Sequence, residues 1–360
     1  MAYIISCGIK EANHSYSQQE VQHFVEKVFP MSFLEKKRLM PIFENAAIDF
    51  RQFACPLDWF KHAHDLQEVN ELYQETSLKY SEEAVQNCLT SNLLKERIEA
   101  AEIEHVIFVS STGISTPTID AYLIDRLGMN EYVKRTPIFG LGCAGGTSGV
   151  AKAFEWLKGN PASNVLVIAV ELCSLTFQHN DRSVSNFVGA ALFGDGASAV
   201  LLAGENSPLL RKASVSLPRV VEASTKTKPH SQSVMGWKVV NTGFEVIFKK
   251  SIPKLVRTFW KEHVDYCLTR SGWKIEDIPF VIAHPGGKKV LESYLECLDL
   301  NPAVLEHSRN VLKEHGNMSS STVHFVLEKV LHENQPPGTR SLMTSLGPGF
   351  TSEVVHLEWM

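Results

Sequence analysis

The run Val165-Leu-Val-Ile-Ala-Val-Glu171 decides the fold class. Six apolar residues follow one another without polar alternation, and the run is too short for a helix that buries one face. It therefore predicts a strand covered on both sides. Three other runs have the same texture: His105–Ser111 (HVIFVSS), Thr136–Gly142 (TPIFGLG) and Ala197–Leu202 (ASAVLL), each bounded by Gly, Ser or Pro. Between them lie stretches with helical spacing, Pro117–Leu127 and Ser148–Lys158. Strand and helix in alternation predict an α/β fold with a mixed sheet.

Working outward, the second half repeats the grammar. A helix near 250–270 leads to Phe280–His284 (FVIAH), helices near 288–298 and 320–332 follow, and strands over 340–345 and 351–359 close the chain. Residue-level self-similarity is weak, yet the repeated order suggests a duplication, with halves 1–204 and 205–360. The first hundred residues read as mainly helical after an opening strand, over 17–28, 32–47 and 66–98, with Ser17 and Glu20 spaced as a capping box. Residues 204–238 show neither rhythm and read as the loosest region.

The chain has 360 residues, 44% hydrophobic and 21% charged, with net charge −5. This is the composition of an ordinary globular protein and not the basic footprint of a nucleic-acid binder. No apolar run reaches the ~20 residues that span a bilayer, and the start lacks a basic leader, so a cytoplasmic protein is expected. Seven dispersed cysteines form no CxxC and no His/Cys cluster, so neither a metal nor a disulfide framework is expected.

Cys143 differs from the other cysteines. It lies in Gly140-Leu-Gly-Cys-Ala-Gly-Gly-Thr-Ser-Gly149, after a strand and before a helix whose positive end favours a thiolate. A tight turn with a packed thiol would give the same pattern. His284 ends a strand and opens into Pro-Gly-Gly, where α/β folds place functional side chains, although a lone histidine is more often structural. Asn317, in His315-Gly-Asn-Met-Ser-Ser-Ser321, reads by itself as a helix cap. Together the three supply a nucleophile, a proton partner and an oxyanion donor.

At these residues the chain resembles the type III polyketide synthases, chalcone-synthase-like enzymes of the thiolase superfamily. The resemblance runs from about Ser32 to the C-terminus on five landmarks in family order: Gly142-Cys-Ala-Gly-Gly146, Phe193-Gly-Asp-Gly-Ala197, His284-Pro-Gly-Gly287, Gly316-Asn-Met-Ser-Ser320 and Gly347-Pro-Gly349. It implies a thiolase-like duplicated αβαβα layered fold with two mixed sheets, and a homodimer. It also implies acyl-CoA and malonyl-CoA as substrates, with no cofactor beyond these coenzyme A thioesters. Catalysis would fall to Cys143, His284 and Asn317: the thiolate, paired with His284, takes the starter. His284 and Asn317 then stabilise the enolate left when malonyl-CoA loses carbon dioxide. Phe193 matches the family's gatekeeper, Thr176 a cavity position, Val246 a second gatekeeper that is Phe in plant enzymes, and Gly347, Pro348 and Gly349 the cyclisation scaffold. Thr116 falls where plant members carry a Met that enters the partner's cavity.

This chain departs from the plant pattern at Ser345-Leu-Gly-Pro-Gly349, where plant enzymes have Gly-Phe-Gly-Pro-Gly. Small residues at Thr116 and Val246 suggest a roomier cavity, a long-chain fatty acyl starter and alkylpyrone products, with alkylresorcinols as an alternative. Lys36, Lys37, Arg38 and Arg51 are candidates for the coenzyme A phosphates, although a basic run on a helix is usually only a solvated face. Two rival readings are an initiating ketosynthase working on a carrier protein and a non-catalytic binding protein of the same fold.

Overall fold

The computed structural model describes residues 1–29 and 31–360. Its strands are β1 (Ala2–Glu11), β2 (His14–Ser17), β3 (Phe50–Phe53), β4 (His105–Val109), β5 (Lys134–Ile138), β6 (Asn164–Leu172) and β7 (Asp195–Gly204). They continue with β8 (Pro218–Thr227), β9 (Met235–Val240), β10 (Gly243–Phe248), β11 (Phe280–Ala283), β12 (Arg340–Gly347) and β13 (Thr351–Trp359). Nine of them form one sheet in the order β11-β12-β13-β8-β1-β7-β6-β4-β5.

The same partnering recurs on either side of the β1–β8 join. On one side β4 runs parallel to β6, β6 antiparallel to β7, and β7 antiparallel to β1. On the other, β11 runs parallel to β12, β12 antiparallel to β13, and β13 antiparallel to β8. Among the described residues, only Ala2↔Val220 and Tyr3↔Arg219 pair the two sides, so the two mixed sheets expected from the sequence are hydrogen-bonded along a short seam.

Strand alternation divides each side between two cores. In β6, Val165, Val167 and Ala169 enter a central core, while Leu166, Ile168 and Val170 enter an outer one. Helix Leu66–Leu89 covers the outer face of the first side, and Lys261–Ser271 and Lys288–Leu298 that of the second. Helices Gly145–Gly159 and Thr322–Leu331 fill the central layer. Gly145–Gly159 packs on β4, β6 and β7 and also on β8, β12 and β13, so the two sheet segments face each other across it. Each large side chain buried in these cores stabilises the fold by about 1.5–3 kcal/mol.

Several expectations change. The long helix stops at Leu89 and is opened by a capping box in which Glu68 N donates to Asp65 Oδ1 at 2.9 Å. The Ser17/Glu20 box is present, and a second, Ser32/Glu35, opens Phe33–Leu39. The small β2–β3 pair was not legible in the sequence. The strand foreseen at Thr136–Gly142 lies earlier, at Lys134–Ile138, and is a half-exposed sheet edge. Pro137 and the glycines that follow limit further pairing there. Residues 204–238, read as loose, contain all of β8 and the start of β9. Within β8 only Val220, Val221 and Ala223 follow Pro218 as apolar residues, and most of its side chains are half-buried or exposed, which weakens the hydrophobic signal.

Candidate active site

Cys143 occupies a single 3-10 turn, Gly142–Ala144, that runs directly into helix Gly145–Gly159. The sharp turn requires Gly142 at φ +47°, and a Cβ there would also press on Pro348 at 2.9 Å. His284 follows β11, tied to the neighbouring strand by its N–H to Thr344 O at 2.8 Å. Asn317 sits in a turn that pairs with Phe193: Asn317 N donates to Leu192 O at 2.8 Å and Gly194 N to Asn317 O at 3.0 Å.

These three side chains, from three turns distant in sequence, border one buried cavity with about 10 Å³ of free room. Its remaining walls include Met235, Phe248, Ile252, Val290, Tyr294 and Leu346. The Cys143 thiol faces Asn317 Oδ1 at 3.9 Å. The Asn317 amide is oriented by its neighbours: Oδ1 accepts from Ser319 N at 2.8 Å, and Nδ2 makes only a long 3.4 Å contact to Gly286 O. An N–H donor is thus held in the cavity with little competition. Both ring nitrogens of His284 are buried without a partner among the described residues.

Burial dominates the electrostatics. It pushes the Cys143 thiol up to about 12, with the Glu171 carboxylate adding to the rise and the Ser319 and Asn317 hydrogen bonds opposing it. Burial likewise draws His284 down to about 3. Cys143 and His284 border the same cavity. Moving one proton between them creates both charges together, each the counter-ion of the other.

Phe193, 4% exposed, stands between two spaces. One, with about 20 Å³ of free room, is bordered by Cys143, Ser319, Pro348, Trp237 and Phe248. The other is an apolar slot with about 30 Å³ of room, walled by Val21, Phe24, Val25, Phe53, Phe177 and Ala190 among others. Val246 is buried against Phe193 and Cys173. Trp237 and Phe248 flank the gate, their rings 5.7 and 6.2 Å from that of Phe193.

Pro348 reaches the Cys143 cavity, and Gly347 packs where any Cβ would lie 2.3 Å from Leu141 O. Gly349, at φ +126°, turns the chain into β13. Thr176 is buried with its hydroxyl on Cys173 O at 2.7 Å and borders neither cavity at Cys143. Thr116 is exposed. Lys36, Lys37 and Arg38 are exposed on Phe33–Leu39, with Lys36 paired to Glu26 at 3.1 Å.

Arg51 corrects an expectation. It is fully buried, donates from Nη1 to Phe193 O at 2.8 Å and packs under Gly316, so it does not meet a phosphate in solvent. Sequence reasoning also passed over Glu171, whose buried carboxyl accepts from Ser111 N and Ser320 Oγ and is pushed up to about 7 by desolvation. Its signal was the lone acid closing an apolar strand. Trp237 and Tyr294 gave no signal, the first because it lies in the stretch read as loose, the second because helical spacing with Leu291 reads as core.

Residues 59–206 match the family described as "Chalcone and stilbene synthases, N-terminal domain", and residues 219–359 its C-terminal domain. A Bacillus subtilis (strain 168) protein named "Putative chalcone synthase" is 41% identical over 100% of this chain and 99% of its own. A 1,3,6,8-tetrahydroxynaphthalene synthase from Streptomyces peucetius is 33% identical over 96% of this chain and 90% of its own. The solved tetrahydroxynaphthalene synthase of Streptomyces coelicolor A3(2) superposes with a TM-score of 0.91 at 24% identity, covering 99% of both chains. The chain belongs to the chalcone and stilbene synthase family, the type III polyketide synthases. Enzymes of this family carry out decarboxylating Claisen condensations on coenzyme A thioesters and need no additional cofactor.

Proposed function

We propose that this enzyme loads a long-chain fatty acyl group from coenzyme A onto Cys143, extends it with malonyl-CoA and closes the product to an alkylpyrone. The observation that carries the reading is the convergence of Cys143, His284 and Asn317 on one largely apolar-walled cavity. As the thiol attacks the acyl-CoA, its proton passes to His284 and then to the departing coenzyme A sulfur. Malonyl-CoA follows, and its thioester oxygen accepts from His284 and Asn317 as carbon dioxide leaves. The enolate carbon attacks the Cys143 thioester, forming the new carbon–carbon bond and freeing the sulfur.

The apolar slot behind Phe193 supports a long starter, because it offers methylene-compatible walls on the far side of the gate. The Lys36–Glu26 tie holds the basic helix beside the one whose Val21, Phe24 and Val25 wall the slot, which supports Lys36, Lys37 and Arg38 as phosphate contacts. A homodimer is supported by the exposed β5 edge, flanked by Phe139 (63% exposed) and Ile114 (47%) near Thr116. The repeated strand order supports division of the chain into halves 1–204 and 205–360. Among the described residues, no helix is long and apolar enough to cross a membrane, which agrees with a cytoplasmic enzyme.

The test is mass spectrometry of products from malonyl-CoA and a ladder of acyl-CoA starters, beside Cys143→Ala. Pyrones peaking with long starters and absent from the variant are expected. Better turnover of short aromatic starters would overturn the substrate assignment. A single β-ketoacyl product made only on a carrier protein would favour an initiating ketosynthase. The 33% identity to a tetrahydroxynaphthalene synthase favours a second reading, which a tetrahydroxynaphthalene product in the same assay would support.

A further inference from the structure

Tyr294 has no part in the chemistry described so far. It lies on helix Lys288–Leu298, is 1% exposed, and borders the cavity shared by Cys143, His284 and Asn317. Its ring rests against Trp260 with centroids 4.3 Å apart, and Trp260 is anchored by its Nε1 donating to Thr344 Oγ1 at 2.9 Å. The ring is therefore fixed by packing. Among the described residues, the hydroxyl has no hydrogen-bond partner.

A phenylalanine would fill this place without stranding an O–H group. Buried hydroxyls are nearly always paired, so an orphan on a cavity wall points to a partner that arrives with the substrate. The walls around it, Met235, Phe248, Ile252, Val290 and Leu346, offer no oxygen or nitrogen from their side chains.

During carbon–carbon bond formation two oxygens need donors at once. One is the thioester oxygen of the malonyl-derived enolate, which His284 and Asn317 serve. The other is the carbonyl oxygen of the acyl group on Cys143, which takes up negative charge as the enolate carbon attacks. We propose that the Tyr294 hydroxyl donates a hydrogen bond to that acyl carbonyl oxygen and is a catalytic residue of the condensation step. The inference rests on the roles given above to Cys143, His284 and Asn317.

The electron balance is simple. The enolate pair forms the new carbon–carbon bond while the carbonyl π pair moves onto oxygen, where the phenol O–H meets it. On collapse that pair reforms the carbonyl, the carbon–sulfur bond breaks, and Cys143 leaves as thiolate. The phenol keeps its proton throughout. Burial, with the Cys297 and Cys143 sulfurs nearby, raises its pKa far above the usual value, so it acts as a donor and not as an acid.

The experiment compares wild type, Tyr294→Phe and Tyr294→Met in two assays: condensation from acyl-CoA and malonyl-CoA, and decarboxylation of malonyl-CoA alone. The expected result is a fall in condensation kcat on the order of 10²-fold in both variants, with KM for the starter and the decarboxylation rate unchanged. The melting temperature of Tyr294→Phe should equal or exceed that of wild type, since the stranded hydroxyl is gone. Unchanged condensation, or a parallel loss of decarboxylation, would overturn the proposal. Condensation that survives in Cys143→Ala would instead overturn the catalytic reading beneath it, whatever Tyr294→Phe does.

Discussion

Gly146 and Ser320 meet so closely that a Cβ on Gly146 would lie 2.2 Å from the Ser320 carbonyl oxygen. This is where the helix carrying Cys143 presses against the turn carrying Asn317. Gly146→Ala must separate the two. We expect a loss of about 1–3 kcal/mol of stability by urea unfolding, together with a fall in condensation larger than that loss explains. A soluble variant with wild-type turnover would show that the contact does not set the distance between the catalytic groups.

Cys143 and Asn317 divide the reaction between them. Asn317→Ala should slow decarboxylation of malonyl-CoA by roughly 10²–10³-fold, read as carbon dioxide release. Cys143→Ala should abolish condensation and leave part of that release intact. Equal loss of both activities in both variants would contradict separate roles.

His284 is the group in the cavity able to accept the Cys143 proton and stay beside the sulfur as a cation. Burial, with the Glu171 carboxylate adding to it, holds the thiol up at about 12. Replacing His284 by Gln removes the counter-ion, so the midpoint of Cys143 alkylation against pH should move upward. The check is the iodoacetamide inactivation rate followed over pH in both proteins, and coincident profiles would remove His284 from thiol activation.

His324 links the catalytic core to acid stability. It is buried, with Nε2 donating to Gly146 O at 3.1 Å and Nδ1 accepting from Ser198 Oγ at 2.9 Å. Desolvation lowers it to about 4 from the ordinary 6.5. A depressed histidine gives its full contribution above pH 6.5 and loses it as pH falls toward 4, because the unfolded chain takes up the proton first. The linkage is worth roughly 3 kcal/mol. Denaturant unfolding of His324→Gln should show a correspondingly smaller drop between pH 7.5 and 4.5 than wild type does.

Trp237 packs beside Phe193 with ring centroids 5.7 Å apart and borders the chamber at Cys143. Trp237→Ala should enlarge the chamber at Cys143 and shift the products toward additional extensions, read by mass spectrometry. An unchanged product ladder would place control of chain length elsewhere.

Much of this was legible in the sequence. The strands β4, β6, β7 and β11 were visible because residues covered on both faces leave largely apolar runs, as at Val165–Val170. The three chemical residues were visible because each sits in a glycine-marked turn. What escaped depends on tertiary placement. Lys36 and Arg51 look alike as cations in a list of residues, yet one is solvated and the other supports Phe193 from below. β8 hid because most of its side chains are half-buried or exposed, which dilutes its pattern. Trp237 and Tyr294 become functional candidates only once a cavity wall is known to pass through them.

The seam between the two sides of the sheet is two residue pairs wide among the described residues, and Cys143 precedes its β8 strand in the chain whereas His284 and Asn317 follow that strand. A chain opened near Val215 would give two pieces, neither owning a complete site. Turnover would then obey mass action, rising with the product of the two concentrations and saturating at the dissociation constant of the pieces. The seam thereby makes the continuity of the polypeptide itself a component of catalysis, since it keeps the effective concentration of one half at the other high at any dilution.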